Sequence, residues 1–223
     1  MITYKEKVFD ILENREKYHA SFYAAETFHG PSLYFHRRTI EARKTANLKL
    51  YLEYIYATIA TWGMHRMGKG GSKMVQFELF KESIEFLNEK ISRAEQIDYK
   101  EIRAEDWDII EDIFRGIRIM ASGTSLVGNS KVMAHLVPNL IPPIDREYTL
   151  RYLRGNTNIK NGLDYEWALF KDIFEGFFLP IACDEPFILT ANNWHSNQTE
   201  YPWDTSIFKI IDNLMIGARK ISI

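Results

Sequence analysis

The chain has 223 residues, 46% of them hydrophobic and 26% charged, and a formal net charge of -2. A chain of this length and composition buries a substantial core, and its charge excludes a uniformly basic nucleic-acid binder. The single cysteine, Cys183, excludes an intramolecular disulfide and a four-cysteine zinc site. Two acidic neighbours make that thiol a poor candidate for a nucleophile.

The N-terminal stretch and the apolar runs bear on where the protein acts. The first residues, MITYKEKVFDILENREKYH, carry charges throughout and predict no signal peptide. No apolar run approaches the roughly 18 residues that a membrane-spanning helix needs. We therefore expect a cytoplasmic protein with no membrane partner, and the sequence leaves its oligomeric state open.

Apolar residues at helical spacing dominate the first half of the chain. They predict a first helix over residues 4–18 or 4–28, which Gly30-Pro31 breaks. A basic segment then leads into an apolar, central helix that Gly63 ends. A loop rich in glycine and basic residues follows, and Ser72 is predicted to cap the next helix.

Beyond residue 100 the predicted helices are separated by prolines and polar loops. An amphipathic helix is predicted over residues 105–120, and a short helix capped by Ser130 ends before Pro138. Pro142-Pro143 predicts an extended segment, after which Asp145 is placed to cap another helix.

The last third of the chain alternates polar loops with aromatic helices. After a polar loop, Asp164 is predicted to cap a helix rich in phenylalanine. An aromatic loop over residues 191–203 then precedes a final helix capped at Asp204 or Thr205. The rings of that loop fit either a clamp on the last helix or a stacking surface for bases.

Few alternating strand patterns occur, so the predicted fold class is mainly α. We expect a single domain over residues 1–223, with eight or nine helices. A division into two lobes, residues 1–116 and 117–223, is a further expectation.

Two stretches of the sequence echo each other. Gly70-Gly71-Ser72-Lys73-Met74-Val75 resembles Gly128-Asn129-Ser130-Lys131-Val132-Met133. In each, serine is predicted to cap a helix that carries lysine in its first turn. Amides at a helix start and a nearby lysine can hold a phosphate. The alternative is an ordinary connection between helices.

Charge is distributed unevenly along the chain. Residues 30–73 hold eight positive and two negative side chains, and residues 74–116 hold twelve acidic and six basic ones. Residues 117–154 are again positive, with five basic and two acidic side chains. Both echoing stretches therefore belong to positive segments, which favours an anionic partner on one face of the molecule.

Lys131 and Asp145 are the candidate catalytic residues. A lysine at a helix start can contact a phosphate or act as a nucleophile. A nearby carboxylate can stabilise a positively charged sugar intermediate. Each also has a structural alternative, because Lys131 can face solvent and Asp145 can be a helix cap only.

The segment Leu126-Val127-Gly128-Asn129-Ser130-Lys131, followed by Ile144-Asp145-Arg146-Glu147, resembles the helix-hairpin-helix DNA glycosylases. In that superfamily a Leu-Pro-Gly-x-Gly hairpin precedes a lysine in the lyase members and a catalytic aspartate at a later helix start. Here Val127 replaces the proline and Ser130 the second glycine. The resemblance implies a two-lobed helical fold and base excision that rests on Asp145.

Three other segments, WGMHRMG, PPIDREYTL and DTSIFKIIDN, resemble a bacterial and archaeal family to which no activity is attached. The histidines show no metal-ligand spacing, so we expect no metal and no cofactor. His36 and His65 lie among arginines and suit phosphate contact.

These observations predict a protein that binds nucleic acid, most simply DNA, with DNA N-glycosylase activity implied by the resemblance alone. Two alternatives stay open: a non-catalytic interaction or regulatory protein, and an enzyme that acts on a small phosphorylated substrate. The residues predicted to contact phosphate or nucleic acid lie in the echoing stretches and the basic segments: His65, Arg66, Lys69, Gly70, Ser72, Lys73, Gly128, Ser130, Arg37, Arg38 and Arg146.

Overall fold

The protein is built mainly from α-helices, which confirms the predicted fold class. A computed structural model describes residues 4–25, 30–64, 67–68 and 71–221, with the backbone alone for 67–68 and 71–72. Within these residues the chain forms eleven α-helical segments. None of them combines the length and the apolar character needed to cross a membrane.

The helices follow one another with short connections. Those of the first half are α1 (Tyr4–Ala25), α2 (Gly30–Arg43), α3 (Leu48–Ile59), α4 (Phe77–Ala94) and α5 (Ala104–Gly116). Those of the second half are α6 (Leu126–Leu136), α7 (Arg151–Arg154), α8 (Leu163–Ile173), α9 (Leu179–Ala182), α10 (Glu185–Ser196) and α11 (Ile207–Ile221).

Shorter elements complete the chain. A 3₁₀ turn spans Tyr99–Glu101, and two-residue strands, β1 (Met67–Gly68) and β2 (Gly71–Ser72), pair antiparallel. Wide π-helical turns precede α7 and join α8 to α9; they span Arg146–Leu150 and Phe174–Phe178. The segment after α3, Ala60–Met64, is kinked at Trp62 and Gly63.

One large apolar core runs through the fold, with buried residues from Ile11 to Ala218. Helix α11 is buried on nearly all sides and crosses α1 closely. Gly217 permits that crossing, because a Cβ there would overlap the carbonyl oxygen of Tyr18. The core takes residues from both sides of Gly116, and the division into two lobes stays a prediction.

Several predicted helix starts are wrong. Helix α4 begins at Phe77 with Gln76 as its N-cap, so Ser72 does not cap it. Helix α8 has Gly162 rather than Asp164 at its cap position. Asp204 does not cap α11, because its carboxylate is bound to His19 and Asn213 instead.

Two segments that were not predicted as helices are helical. The basic segment before α3 forms helix α2. Helix α10 takes up the first part of the predicted aromatic loop, since Asp184 caps it and Pro186 lies in its first turn. Proline at such a position suits a helix start because its missing N–H has no partner there in any helix.

Helix α6, which carries Lys131, is buried along almost its whole length. Its first amides belong to Ser125 and Leu126, and both donate to one oxygen of the Glu166 carboxylate, at 2.6 and 2.7 Å. The other Glu166 oxygen accepts from the amide of Gly162 at 3.2 Å. A buried carboxylate from α8 thus satisfies the positive end of α6.

Gly128 has a packing role inside α6. A Cβ at this position would lie 2.9 Å from side-chain atoms of both Ile119 and Met120. That segment in turn pairs with the end of the first echoing stretch: Ala121 donates its amide to the carbonyl of Lys73 at 2.7 Å. The two stretches are therefore separated by a single layer of chain.

We expect Glu166→Ala to lower the free energy of unfolding by about 3 kcal/mol, because it leaves buried amides at the α6 start without an acceptor. Urea denaturation measures the change. The control is Glu175→Ala, which removes a half-exposed carboxylate paired with Lys171 and should cost less than about 0.5 kcal/mol. Equal losses in the two variants would contradict the role given to Glu166.

Candidate functional site

The second echoing stretch lies inside a helix and not in a turn. Helix α6 begins at Leu126, so Gly128 and Ser130 are helical residues and Ser130 is not an N-cap. Lys131 accordingly lies in the second turn of α6, not at its start. The anion at that start is the Glu166 carboxylate, which comes from 40 residues further along the chain.

Lys131 and Asp145 form an ion pair, with Nζ 2.8 Å from Oδ2. Lys131 is only 5% exposed. The Asp145 side chain is 27% exposed and reaches the surface of a pocket. A buried ammonium without a counter-charge would cost several kcal/mol, so each member of the pair requires the other.

Asp145 is also the helix cap that the sequence predicted. Its Oδ1 accepts from the amides of Glu147 and Tyr148, at 2.8 and 3.3 Å. Burial raises the pKa of Asp145, but the charge and hydrogen bond of Lys131 and the two amides outweigh burial, so the pKa lies below its ordinary value. The carboxylate is therefore ionised at neutral pH.

Hydrogen bonds of neighbouring residues fix the positions of Lys131 and Asp145 relative to each other. The Ser130 hydroxyl accepts from the amide of Ile144 at 3.1 Å, which ties α6 to the residue before Asp145. The Asp145 amide donates to the Thr149 hydroxyl at 3.0 Å. Ser130 and Lys131 thus contact neighbouring residues of the same extended segment.

A pocket of about 210 Å³ opens beside this pair, and we call it the aromatic pocket. Its walls include Trp62, Trp203, Phe22 and Tyr148, and Asp145 lies among them. The ring centroids of the two tryptophans are 6.4 Å apart. The pocket therefore offers flat apolar walls next to an ionised carboxylate.

Lys209, in the first turn of α11, is a second buried lysine on the wall of this pocket. Its ammonium donates to Asp212 Oδ2 at 2.7 Å and to Asn213 Oδ1. The ammonium also lies 5.7 Å from the ring centre of Trp62 and 5.4 Å from that of Trp203. Cation–π attraction of this kind favours a buried ammonium between tryptophans.

A larger cavity of about 370 Å³ adjoins the aromatic pocket and shares Trp62, Pro143 and Lys209 with it. We call it the basic cavity. It lies between α2, the end of α6 and the start of α11. Its charged lining residues are Arg43, Lys44, Lys209 and Glu95.

A chain of hydrogen bonds follows the wall of the basic cavity. The Lys131 carbonyl can only accept, so His135 donates to it through Nδ1–H at 2.7 Å. His135 Nε2 then accepts from His36 Nδ1–H at 3.1 Å, and His36 Nε2 accepts from the Thr205 hydroxyl at 3.0 Å. This order fixes the tautomers of both histidines.

Both histidines are neutral. Burial, aided by the charges of Lys209 and Arg37, lowers the pKa of His36 well below 6.5. Burial also lowers the pKa of His135 to about 4, although its bond to the Lys131 carbonyl works in the opposite direction. His36 was predicted to contact phosphate, but its ring nitrogens are used by His135 and Thr205.

The remaining predicted contacts are scattered. Arg37 donates to the carbonyl of Gln198, Arg38 pairs with Glu41, and Arg146 donates to the Thr157 carbonyl and the Thr124 hydroxyl. Lys73 is exposed. Outside the described residues or side chains lie His65, Arg66, Lys69, Gly70 and Ser72.

Four pocket residues were not predicted as site residues: Phe22, Trp62, Tyr148 and Lys209. Trp203 had two alternative predicted roles. Trp62 and Lys209 come from elements distant in the chain from Asp145, and they lie in two of the segments quoted above, WGMHRMG and DTSIFKIIDN. Burial raises the pKa of the Cys183 thiol, and the nearby carboxylates of Asp98 and Glu185 act in the same direction.

No protein-family model, curated protein or solved structure matches this chain. The resemblance to helix-hairpin-helix DNA glycosylases therefore stays a prediction. Within the described ranges, no group of three or more His, Cys, Asp or Glu side chains is placed to hold a metal ion.

The neutral histidines predict a pH dependence of stability. In the unfolded chain His135 protonates near pH 6.5, whereas in the fold it stays neutral down to about pH 4. The unfolded state thus binds more protons in this window, so the free energy of unfolding falls as the pH falls through it. For His135 alone we expect a fall of about 3 kcal/mol.

Urea denaturation across the window measures this fall. His135→Gln should reduce the pH dependence without abolishing it, because the pKa of His36 is lowered as well. A pH dependence that is identical in His135→Gln and the unmodified protein would contradict the assignment.

Proposed function

We propose that the protein binds nucleic acid and cleaves the N-glycosidic bond of a base that enters the aromatic pocket. Asp145 is the carboxylate that stabilises the positive charge formed on the sugar. The observation that carries the proposal is the ionised Asp145, paired with Lys131 at 2.8 Å, on the wall of a pocket lined by aromatic rings.

The shape of the pocket supports a planar guest. Enzymes that act on a base in nucleic acid take it out of the stack and hold it between aromatic or apolar side chains. Trp62, Trp203, Phe22 and Tyr148 supply such walls here. Stacking on aromatic rings is worth about 1–3 kcal/mol per base, which offsets part of the cost of unstacking.

The charge of Asp145 suits the chemistry. When the N-glycosidic bond breaks, the base leaves with the bonding electrons and the sugar becomes oxocarbenium-like, a state whose energy a nearby carboxylate lowers. A water molecule then adds to the sugar carbon, and its proton balances the one that the departing base takes up. Asp145 stays ionised because Lys131 and two backbone amides bind its charged form. Its partial exposure lets a substrate approach the same carboxylate.

Lys131 serves as the counter-ion in this proposal. Its ammonium is buried and bound to Asp145, which keeps the carboxylate ionised and oriented. It lies inside the fold and not on a surface turn, so a contact with backbone phosphate is no longer its best role.

An enzyme that acts on a small phosphorylated substrate is the second candidate. One observation favours it: the basic cavity, at about 370 Å³, is of small-molecule size. The ionised carboxylate on a pocket wall favours either enzyme over a non-catalytic interaction protein.

Asp145→Asn tests the carboxylate. We expect it to reduce base excision by about a hundredfold or more, because the charge that stabilises the sugar cation is gone. It should also lower the free energy of unfolding by about 3 kcal/mol, because the buried Lys131 ammonium loses its counter-charge. Excision is measured on duplexes that carry a panel of damaged bases, below the melting temperature of each variant.

Two controls separate chemistry from folding. The double variant Lys131→Met/Asp145→Asn removes both charges, so it should recover most of the stability and remain inactive. Asp112→Asn makes the same change at an exposed carboxylate and should alter neither quantity. Excision that survives in folded Asp145→Asn, or that the unmodified protein does not perform on any duplex of the panel, would overturn the proposal.

Borohydride trapping tests the role of Lys131. Because its ammonium is held by Asp145, we expect no covalent adduct with duplexes that contain an abasic site. A trapped adduct that disappears in Lys131→Met would show instead that the lysine acts as a Schiff-base nucleophile.

A further inference from the structure

We propose that the basic cavity binds the phosphate group of the nucleotide whose base enters the aromatic pocket. The inference rests on the proposed function for the identity of that base. The two cavities share Trp62, Pro143 and Lys209, so a guest can occupy both without crossing the core.

The charge of the lining favours an anion. Three cations, Arg43, Lys44 and Lys209, line the basic cavity, against one carboxylate, Glu95. Glu95 is bound to Arg43 at 2.7 Å and Asp212 to Lys209 at 2.7 Å, so Lys44 is the lining cation that neither of these ion pairs neutralises. The histidines on the same wall are neutral and do not alter this balance.

Lys209 is suited to bridge the two parts of such a ligand. It is 7% exposed and lines both cavities. An ammonium has three N–H donors, and Asp212 and Asn213 take two of them. A third donor is left for an acceptor on the ligand, and a charged acceptor such as phosphate gives the stronger bond.

The start of α11 adds to the positive potential. Thr205 and Ser206, which precede this helix, line the basic cavity. The Ser206 hydroxyl accepts from the Lys209 amide at 3.2 Å and keeps its own proton for a second acceptor. The positive end of a fifteen-residue helix favours an anion beside these residues.

The phosphate could belong to a nucleic-acid strand or to a free mononucleotide, since both present the same group. We would titrate the protein calorimetrically with common 2′-deoxynucleosides, with their 5′-monophosphates and with a short single-stranded oligodeoxynucleotide. If the monophosphates already bind more tightly than the nucleosides, a free nucleotide is sufficient to supply the phosphate. A gain seen only with the oligonucleotide identifies the strand.

We expect phosphate to strengthen binding by about tenfold in one of these two forms, and Lys44→Glu to remove that gain. Lys44 is exposed, so its replacement avoids the unfolding that a change at buried Lys209 would bring. The matched control is Lys49→Glu, which changes the net charge equally but lies outside the cavity lining. Lys49→Glu should still bind the phosphate-bearing probes more tightly than the nucleosides.

Equal binding of all probes with and without phosphate, no binding of any phosphate-bearing probe, or a gain that persists in Lys44→Glu would overturn the inference. The excision assay is scored separately. If the protein excises bases but binds phosphate-bearing probes no more tightly than nucleosides, only the phosphate site is contradicted. If it binds those probes more tightly but excises no base, the phosphate site stands and the proposed glycosylase function is contradicted.

Discussion

A lysine that leaves water must find a counter-charge inside the protein, and the way this chain supplies one to Lys131 organises the region around the pocket. The pair with Asp145 joins α6 to the extended segment after Pro142-Pro143. Ser130 bonds to Ile144 one residue before the pair, and Thr149 receives the amide of Asp145 itself. Neither half of the pair can move without leaving a buried charge or a buried hydrogen-bonding group unsatisfied.

Three buried charged groups in this part of the fold are each satisfied by different partners. Glu166 is satisfied by backbone amides at the start of α6, Lys131 by a carboxylate, and Lys209 by a carboxylate, an amide oxygen and the faces of tryptophan rings. Of these charged groups, only the Asp145 carboxylate combines a depressed pKa with partial exposure at a pocket. The buried charges fix the geometry of this region, and the Asp145 carboxylate is the partly exposed one among them.

Local sequence patterns predicted what is local. Asp145 was identified as a cap because its surroundings, two prolines before it and a polar helix start after it, act within a few residues. Ser130 was misassigned as a cap. The start of α6 is capped by Glu166, which lies 40 residues after Leu126 in the sequence. Lys209 and Trp62 reach the pocket through tertiary packing, which periodicity does not encode. Helix α10 was missed although Asp184 and Pro186 form a recognisable helix start.

The wide π-helical turn after Asp145, Arg146–Leu150, limits how the pocket can be altered. The turn is closed by the Leu150 amide and the Asp145 carbonyl, at 2.9 Å, and holds one residue more than an α-helical turn. Turns of this type are often found at functional sites. Deleting one residue would restore regular helix and rotate the residues that follow by about 100° relative to those before it. The position of Tyr148 on the aromatic wall therefore depends on this wide turn, and a deletion within residues 146–150 should change the shape of the pocket.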